Sequence, residues 1–248
     1  MNKIKVGVIP AAGSGKRMGY LGQVLHKSLF PLGDRPIIHY IINHMEKIGV
    51  EDVYVIVHYQ KEKIKSYFES VKENLNSNIH FIEQEKLAGI ASAINLTKEF
   101  INEPFMTSLG DDCTITKSFS NLVDTFYTND AIVVEGVVKE NNKEVIQRTN
   151  CLELDSLGRI KNIIEKPIEP ISDLRGCGLY VFSPQIFDYI KKTPISSVRH
   201  EIEITDTIGL VAKDGRAYGA YINGENININ TQDDLLNAWL ELKKLNIK

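Results

Sequence analysis

The chain has 248 residues, 43% hydrophobic and 25% charged, and Lys+Arg 29 against Asp+Glu 32 leave a formal net charge of −3. These proportions belong to folded globular chains and exclude disordered, collagen-like and coiled-coil compositions. No apolar run approaches the roughly 20 residues of a membrane-spanning helix, and the absence of a basic block gives a nucleic-acid surface no support. The apolar stretch near the start, residues 6–9 and two alanines, is too short for a signal peptide. Cys113, Cys151 and Cys177 are odd in number and widely spaced, with no CxxC. Neither a disulfide framework nor a zinc site is expected, and a reducing cytoplasm fits.

In chain order, Ile4, Val6, Val8 and Ile9 predict a short buried strand, followed by a glycine-rich turn at 13–19. Ile37, Ile38, Ile41, Ile42, Met45 and Ile48 recur at helical spacing, and Gly49 closes that helix. Strands at 53–57, 79–82 and 105–109 alternate with helices at 64–71 and about 89–100. That alternation predicts a parallel sheet with helices on both faces. Beyond Asp112 the pattern changes to strands at 132–138, 149–154 and 179–182, with a hairpin-like gap at Asp155-Ser156-Leu157-Gly158. A mixed-sheet half laid against the parallel half is expected. A last helix from Gln232 to about Leu245 has Thr231 as its N-cap and Asp234 in its first turn. With no repeats or linkers, the expectation is one α/β domain over 1–248. It has a nucleotide half to about 112, a second half over about 113–230, and the closing helix at 231–248.

Open α/β sheets take ligands beyond the carboxyl ends of their strands, where Pro10-Ala11-Ala12-Gly13-Ser14-Gly15-Lys16-Arg17 lies. Glycines let backbone N–H groups converge on phosphate oxygens, and Lys16 and Arg17 add charge. A Walker loop fails because Pro10 stands where its first glycine belongs and Arg17 where its hydroxyl belongs. A dinucleotide fingerprint fails on glycine spacing, and the second strand ends at His58-Tyr59 rather than at an acid. Taken alone, the turn is equally a solvated glycine loop.

Further motifs make the pattern specific. Lys27 follows Arg17 by ten residues within His26-Lys27-Ser28-Leu29-Phe30-Pro31-Leu32-Gly33-Asp34-Arg35-Pro36. Gln84 precedes Gly89 by five residues; Leu109-Gly110-Asp111, Glu165-Lys166-Pro167, Gly178-Leu179-Tyr180, Glu203-Ile204-Thr205-Asp206 and Asn228-Ile229-Asn230-Thr231 follow in order. From residue 4 to about 236, the chain resembles the sugar-1-phosphate nucleotidyltransferases (NDP-sugar pyrophosphorylases). The ten-residue spacing is most similar to the glucose-1-phosphate thymidylyl- and uridylyltransferases.

The resemblance implies a Rossmann-like, three-layer α/β/α nucleotidyltransferase (GT-A-like) fold with a mixed central sheet. Its reaction would join a pyrimidine triphosphate, UTP or dTTP, to a hexose 1-phosphate and release pyrophosphate. Arg17 and Lys27 would hold the triphosphate. Gln84 would read the O4 and N3–H edge of the base, with Ala11, Ala12, Gly13, Gly15 and Gly89 completing the nucleotide site. Asp111 and Asn228 would hold Mg²⁺, although Asn230 competes with Asn228 for that alignment, and many relatives have a second aspartate there. Glu165 and Lys166 would face the sugar and its 1-phosphate, with Gly178 alongside. Asn150 stands where relatives tend to have glycine and should narrow or repolarise the sugar pocket. His26 and Lys16 replace a usual proline and threonine.

His58 and His200 read as isolated surface or satisfied residues, Trp239 as a packing residue, and Glu203 and Asp206 as residues at a helix start that either cap it or contact ligand. The partners implied are a nucleoside triphosphate and a sugar 1-phosphate, without nucleic acid or membrane, and a homo-oligomer is compatible. The sequence carries no left-handed β-helix repeats, so no appended acyltransferase activity is expected. Two rivals stay open: a cytidylyl- or guanylyltransferase for a sugar phosphate or small phospho-alcohol, and a non-catalytic sugar-nucleotide-binding protein.

Overall fold

The computed structural model describes residues 3–116, 119–197 and 199–244. Strand β1 (Val6–Ala11) leads through a 3-10 turn at Lys16–Met18 into the short helix α1 (Tyr20–Val24). A second 3-10 turn at Lys27–Leu29 and the two-residue strands β2 (Pro31–Leu32) and β3 (Arg35–Pro36) precede α2 (Ile37–Lys47). Then come β4 (Asp52–Val57), α3 (Lys61–Val71), β5 (Asn78–Glu83), α4 (Ile90–Asn95) and β6 (Phe105–Ser108). The order β6-β1-β4-β5 is parallel throughout.

Side chains alternate across a strand, and here both faces are apolar. Ile9, Val53, Val55 and Val57 share a core with Ile41 and Met45 of α2 and Ile64 and Phe68 of α3. Val6, Val8, Ile56 and Phe105 share the opposite core with Ile94 of α4. Near-continuous hydrophobic strands covered on both sides are what a parallel sheet requires.

The second half comprises β7 (Asp112–Thr116), α5 (Ser120–Thr128), β8 (Val133–Lys139), α6 (Lys143–Ile146), β9 (Asn150–Leu154), β10 (Ile160–Glu165) and β11 (Leu174–Phe182). Helices α7 (Ile186–Lys192) and α8 (Ile204–Lys213), strands β12 (Ala217–Tyr221) and β13 (Gly224–Asn228), and α9 (Gln232–Lys244) complete it. This half does not lie against the first as a separate layer. Antiparallel pairing of Leu179–Phe182 with β6 fuses both into one nine-stranded mixed sheet among the described residues. Strands β7 and β13 form a separate antiparallel ribbon that places Asn228 opposite Asp112.

Several local expectations are corrected. The helix expected over 89–100 ends at Asn95, where Thr97 turns its hydroxyl onto the Ile94 carbonyl. Strand β11 starts at Leu174 rather than Leu179, because buried Arg175 and two glycines hide its first half. Trp239 is 44% exposed, so it is not a core residue. Glu203 occupies the N-cap position of α8 but its side chain makes no capping bond. The start of α9 is as expected: Asp234 N–H donates to Thr231 Oγ1 and Thr231 N–H to Asp234 Oδ2, a reciprocal cap. Leu245, the expected end of that helix, lies outside the described residues. Among the described residues, no helix is long and apolar enough to cross a membrane.

Candidate active site

At the carboxyl ends of β1, β5 and β6 a cavity of about 420 Å³ opens. Every residue that the sequence marks for nucleotide, sugar or metal lines it.

The glycine-rich turn leaves β1 at Ala11. At Gly13 a Cβ would meet nothing within 4 Å, and Gly15 has φ 61°, a left-handed conformation suited to glycine. His26 fixes the turn from below. Its Nδ1 accepts the Ser28 N–H at 3.2 Å, which leaves the proton on Nε2 to donate to the Gly13 carbonyl at 2.9 Å. Burial holds this imidazole down to about 4, with the Gly13 bond acting the other way. Neutral His26 therefore ties the turn to the segment carrying Lys27.

Arg17 and Lys27 converge on one atom. Arg17 Nη2 donates to Asn230 Oδ1 at 2.6 Å and Lys27 Nζ to the same oxygen at 3.3 Å; Lys27 also pairs with Asp111. The two asparagines differ in their partners. Asn230 organises the cations, whereas Asn228 Nδ2 donates to Asp112 Oδ1 at 3.0 Å. The Ile229 N–H donates to the Asp111 carbonyl at 2.9 Å, holding the Asn228 segment beside Asp111. The cavity thus offers the Asp111 carboxylate and the Asn228 amide oxygen on adjacent segments. Two hard oxygen donors, with phosphates and water supplying the rest, fit Mg²⁺. No cluster of three or more His, Cys, Asp or Glu able to hold a metal occurs among the described residues. Asp112 itself is buried; burial, then the Asp111 charge, push its carboxyl upward. Gly178, with φ 60°, makes room for it, since a Cβ there would meet Asp112 Oδ2 at 2.1 Å.

Gln84 is 4% exposed. Its backbone is fixed on both sides, with N–H to the Val57 carbonyl at 2.9 Å and its own carbonyl bonded by His58 Nδ1 at 2.7 Å. Its Nε2 has no hydrogen-bond partner among the described residues. An unpaired buried amide is costly, and this one belongs to a residue lining a ligand-sized cavity. Gly89 lines the same cavity at φ 99°, and a Cβ there would meet the Ile202 carbonyl at 2.4 Å. Close packing of Glu201 and Ile202 therefore demands glycine at 89.

On the opposite side, Glu165 ends β10 and Lys166 adopts φ 45°, a left-handed conformation uncommon for lysine. Glu165 accepts from Lys166 Nζ at 2.9 Å, Thr205 Oγ1 at 2.8 Å and Arg199 Nη1 at 3.3 Å. The sequence reading missed Arg199, which also contacts Glu201 at 3.5 Å and Glu203 at 3.0 Å. Its only signal was its place four residues before Glu203. Asn150 lines the cavity with its amide already engaged: Nδ2 donates to Glu135 Oε1 at 2.7 Å, and Oδ1 accepts the Gly176 N–H at 2.8 Å.

The amide, the cation pair, the oxygen donors and the carboxylate–lysine pair define a site for anionic nucleotide chemistry. Residues 6–244 match the Nucleotidyl transferase family, to which the chain belongs. It is 27% identical to the UTP--glucose-1-phosphate uridylyltransferase of Staphylococcus haemolyticus, over 97% of this chain and 93% of that protein. It is 34% identical to the bifunctional protein GlmU of Methanococcus aeolicus, over 97% of this chain but 55% of that protein, so the chain spans about half the length of this relative. In fold it is similar to a UDP-glucose pyrophosphorylase crystallised with UDP-glucose, with a TM-score of 0.87 at 23% identity, covering 98% of this chain and 99% of the other.

Proposed function

We propose that the protein joins UTP or dTTP to a hexose 1-phosphate, giving an NDP-hexose and pyrophosphate with Mg²⁺ as cofactor. The observation that carries this reading is the order of chemistry along one cavity. The unpartnered Gln84 amide lies on the nucleotide side, the Arg17–Asn230–Lys27 cluster beside Asp111, and the Glu165–Lys166 pair on the other side. The name of the staphylococcal relative, which specifies UTP and glucose 1-phosphate, supports the same choice.

A sugar-1-phosphate oxygen attacks the α-phosphorus, and the bond to the leaving pyrophosphate breaks in line with it. Lys166 neutralises the 1-phosphate so that two anions can approach, while Glu165 accepts sugar hydroxyls. Arg17 and Lys27 offset charge developing on the pyrophosphate. The Gln84 amide both donates and accepts, matching O4 and N3–H of uracil or thymine. Held by the Asp111 and Asn228 oxygens, Mg²⁺ would neutralise phosphate charge. Buried, unpaired cysteines suit a reducing cytoplasm as the place of action.

The test is pyrophosphate release from the common NTPs paired with glucose, galactose and N-acetylglucosamine 1-phosphates, with and without EDTA. Release that requires a pyrimidine triphosphate, a hexose 1-phosphate and Mg²⁺ is expected. Release without any sugar phosphate, or undiminished by EDTA, would refute the reading.

A further inference from the structure

A carboxyl lies buried directly behind the sugar side of the cavity. Glu135, in β8, is 0% exposed, and Tyr180, its register partner on β11, brings its hydroxyl to the same carboxyl. Its Oε1 accepts from Asn150 Nδ2, and the other end of that amide takes the Gly176 N–H. Gly176 exists to admit this pair, since a Cβ there would meet Glu135 Oε1 at 1.9 Å and Asn150 Oδ1 at 2.3 Å. The ladder between β8 and β11 is irregular between Gly176 and Tyr180, the stretch beside Glu135. Asn150 also sits opposite Glu165 in the β9–β10 register, so the pair is joined to the sugar side of the cavity.

A fully buried acid is a poor choice if stability alone is at stake, because apolar residues of similar volume fill such a place at lower cost. What the acid does accomplish is to fix the Asn150 amide. With Oδ1 accepting from Gly176 and one Nδ2 hydrogen given to Glu135, the second N–H is the donor left for a ligand.

We propose that Glu135 is a positioning residue which, acting through Asn150, selects sugar phosphates that present an oxygen acceptor to the Asn150 N–H. The inference rests on the hexose 1-phosphate reading of the cavity. Burial pushes this carboxyl up to about 8, helped by the Glu165 and Asp112 charges and opposed by the bonds from Asn150 and Tyr180, which favours the neutral acid near pH 7. A glutamine at 135 has the same shape and hydrogen-bonding groups, whereas leucine has the volume alone.

The experiment measures KM for the sugar phosphate and for the nucleotide separately, in the wild type, Glu135→Gln, Glu135→Leu, Asn150→Gly and the Glu135→Leu/Asn150→Gly double variant. Glu135→Leu should raise the sugar-phosphate KM about tenfold, the worth of one lost hydrogen bond, with the nucleotide KM unchanged. Glu135→Gln should restore it at pH 7 and remove any change in that KM between pH 7 and 9. In the double variant the leucine should add nothing to the effect of Asn150→Gly, because the two act in series. Additive effects, equal rises in both KM values, or no restoration by glutamine would overturn the proposal. If wild-type protein turns over a different phospho-substrate, the hexose reading fails by itself. The variants are then assayed with that substrate, where the same KM split decides the role of Glu135.

Discussion

Replacing Gln84 by leucine should strengthen the fold while disabling nucleotide choice. The side chain is 4% exposed and its Nε2 lacks a partner among the described residues. An unpaired buried donor costs about 1–3 kcal/mol, and a leucine of similar size removes it. In a chain of this length about 1 kcal/mol moves Tm by roughly 2–4 °C, so Gln84→Leu should melt about 2–12 °C higher. The same variant loses both the donor and the acceptor offered to the base. A site built around such bonds discriminates strongly, so kcat/KM for UTP should fall about 100-fold, with the UTP:GTP ratio falling at least about tenfold. Thermal melts followed by circular dichroism and steady-state pyrophosphate release give both quantities. Opposite signs for stability and activity would mark a residue kept for a ligand. An unchanged UTP:GTP ratio, or a lower Tm with equal losses for all nucleotides, would refute the reasoning and make Gln84 a structural residue.

Other consequences are more local. Arg17→Ala should lower kcat/KM about 100-fold, because charge is removed where it develops, while Tm hardly moves for an exposed cation; turnover near wild type would contradict the clamp. Asn228→Asp removes the N–H that Asp112 accepts and sets two acids together, so the variant should melt lower in EDTA and recover with Mg²⁺; a melt indifferent to Mg²⁺ would argue against the metal site. His26→Pro suits the backbone, since His26 has φ −61° and Leu25 before it is extended at φ −139°, ψ 140°; losses in melting temperature and kcat/KM would then report the two ring bonds, and a neutral outcome would sink the staple. Burial holds both His26 and His44 down to about 4, so the unfolded chain binds more protons below about pH 6.5 and stability falls from there towards pH 4, by roughly 3 kcal/mol for each. Melts of wild type and His26→Pro at pH 7 and 4.5 should converge in acid; parallel shifts would contradict the assignment.

The parallel half was legible because β-branched strands and the regularly spaced isoleucines of α2 carry their periodicity openly. The second half was less so, since its strands are held by polar bonds. Buried Arg175 donates to both the side chain and the carbonyl of Asn226, at 2.7 and 2.5 Å, and so supports β11 against the β7–β13 ribbon. Neither Arg175 nor Gly176 carries a strand signal. In the site, residues within spaced motifs could be found, whereas those whose meaning is purely spatial could not. Arg199 reads as one more loop cation until Glu165 is placed 3.3 Å away. Glu135 interrupts an apolar strand, and only the approach of Asn150 and Gly176 gives that interruption a meaning. His26 was noted as a departure without a role; its role is two bonds to backbone groups either side of a turn.

The central claim, pyrimidine nucleotidyl transfer to a hexose 1-phosphate, is tested most directly by competition. The protein is given equal concentrations of UTP, dTTP, CTP, GTP and ATP with glucose 1-phosphate and Mg²⁺, and the products are separated by mass. A UDP- or dTDP-hexose dominating the mixture, matched by an equal amount of pyrophosphate, is the predicted result. A GDP-, ADP- or CDP-hexose as the main product, or nucleoside monophosphates with no sugar attached, would contradict it.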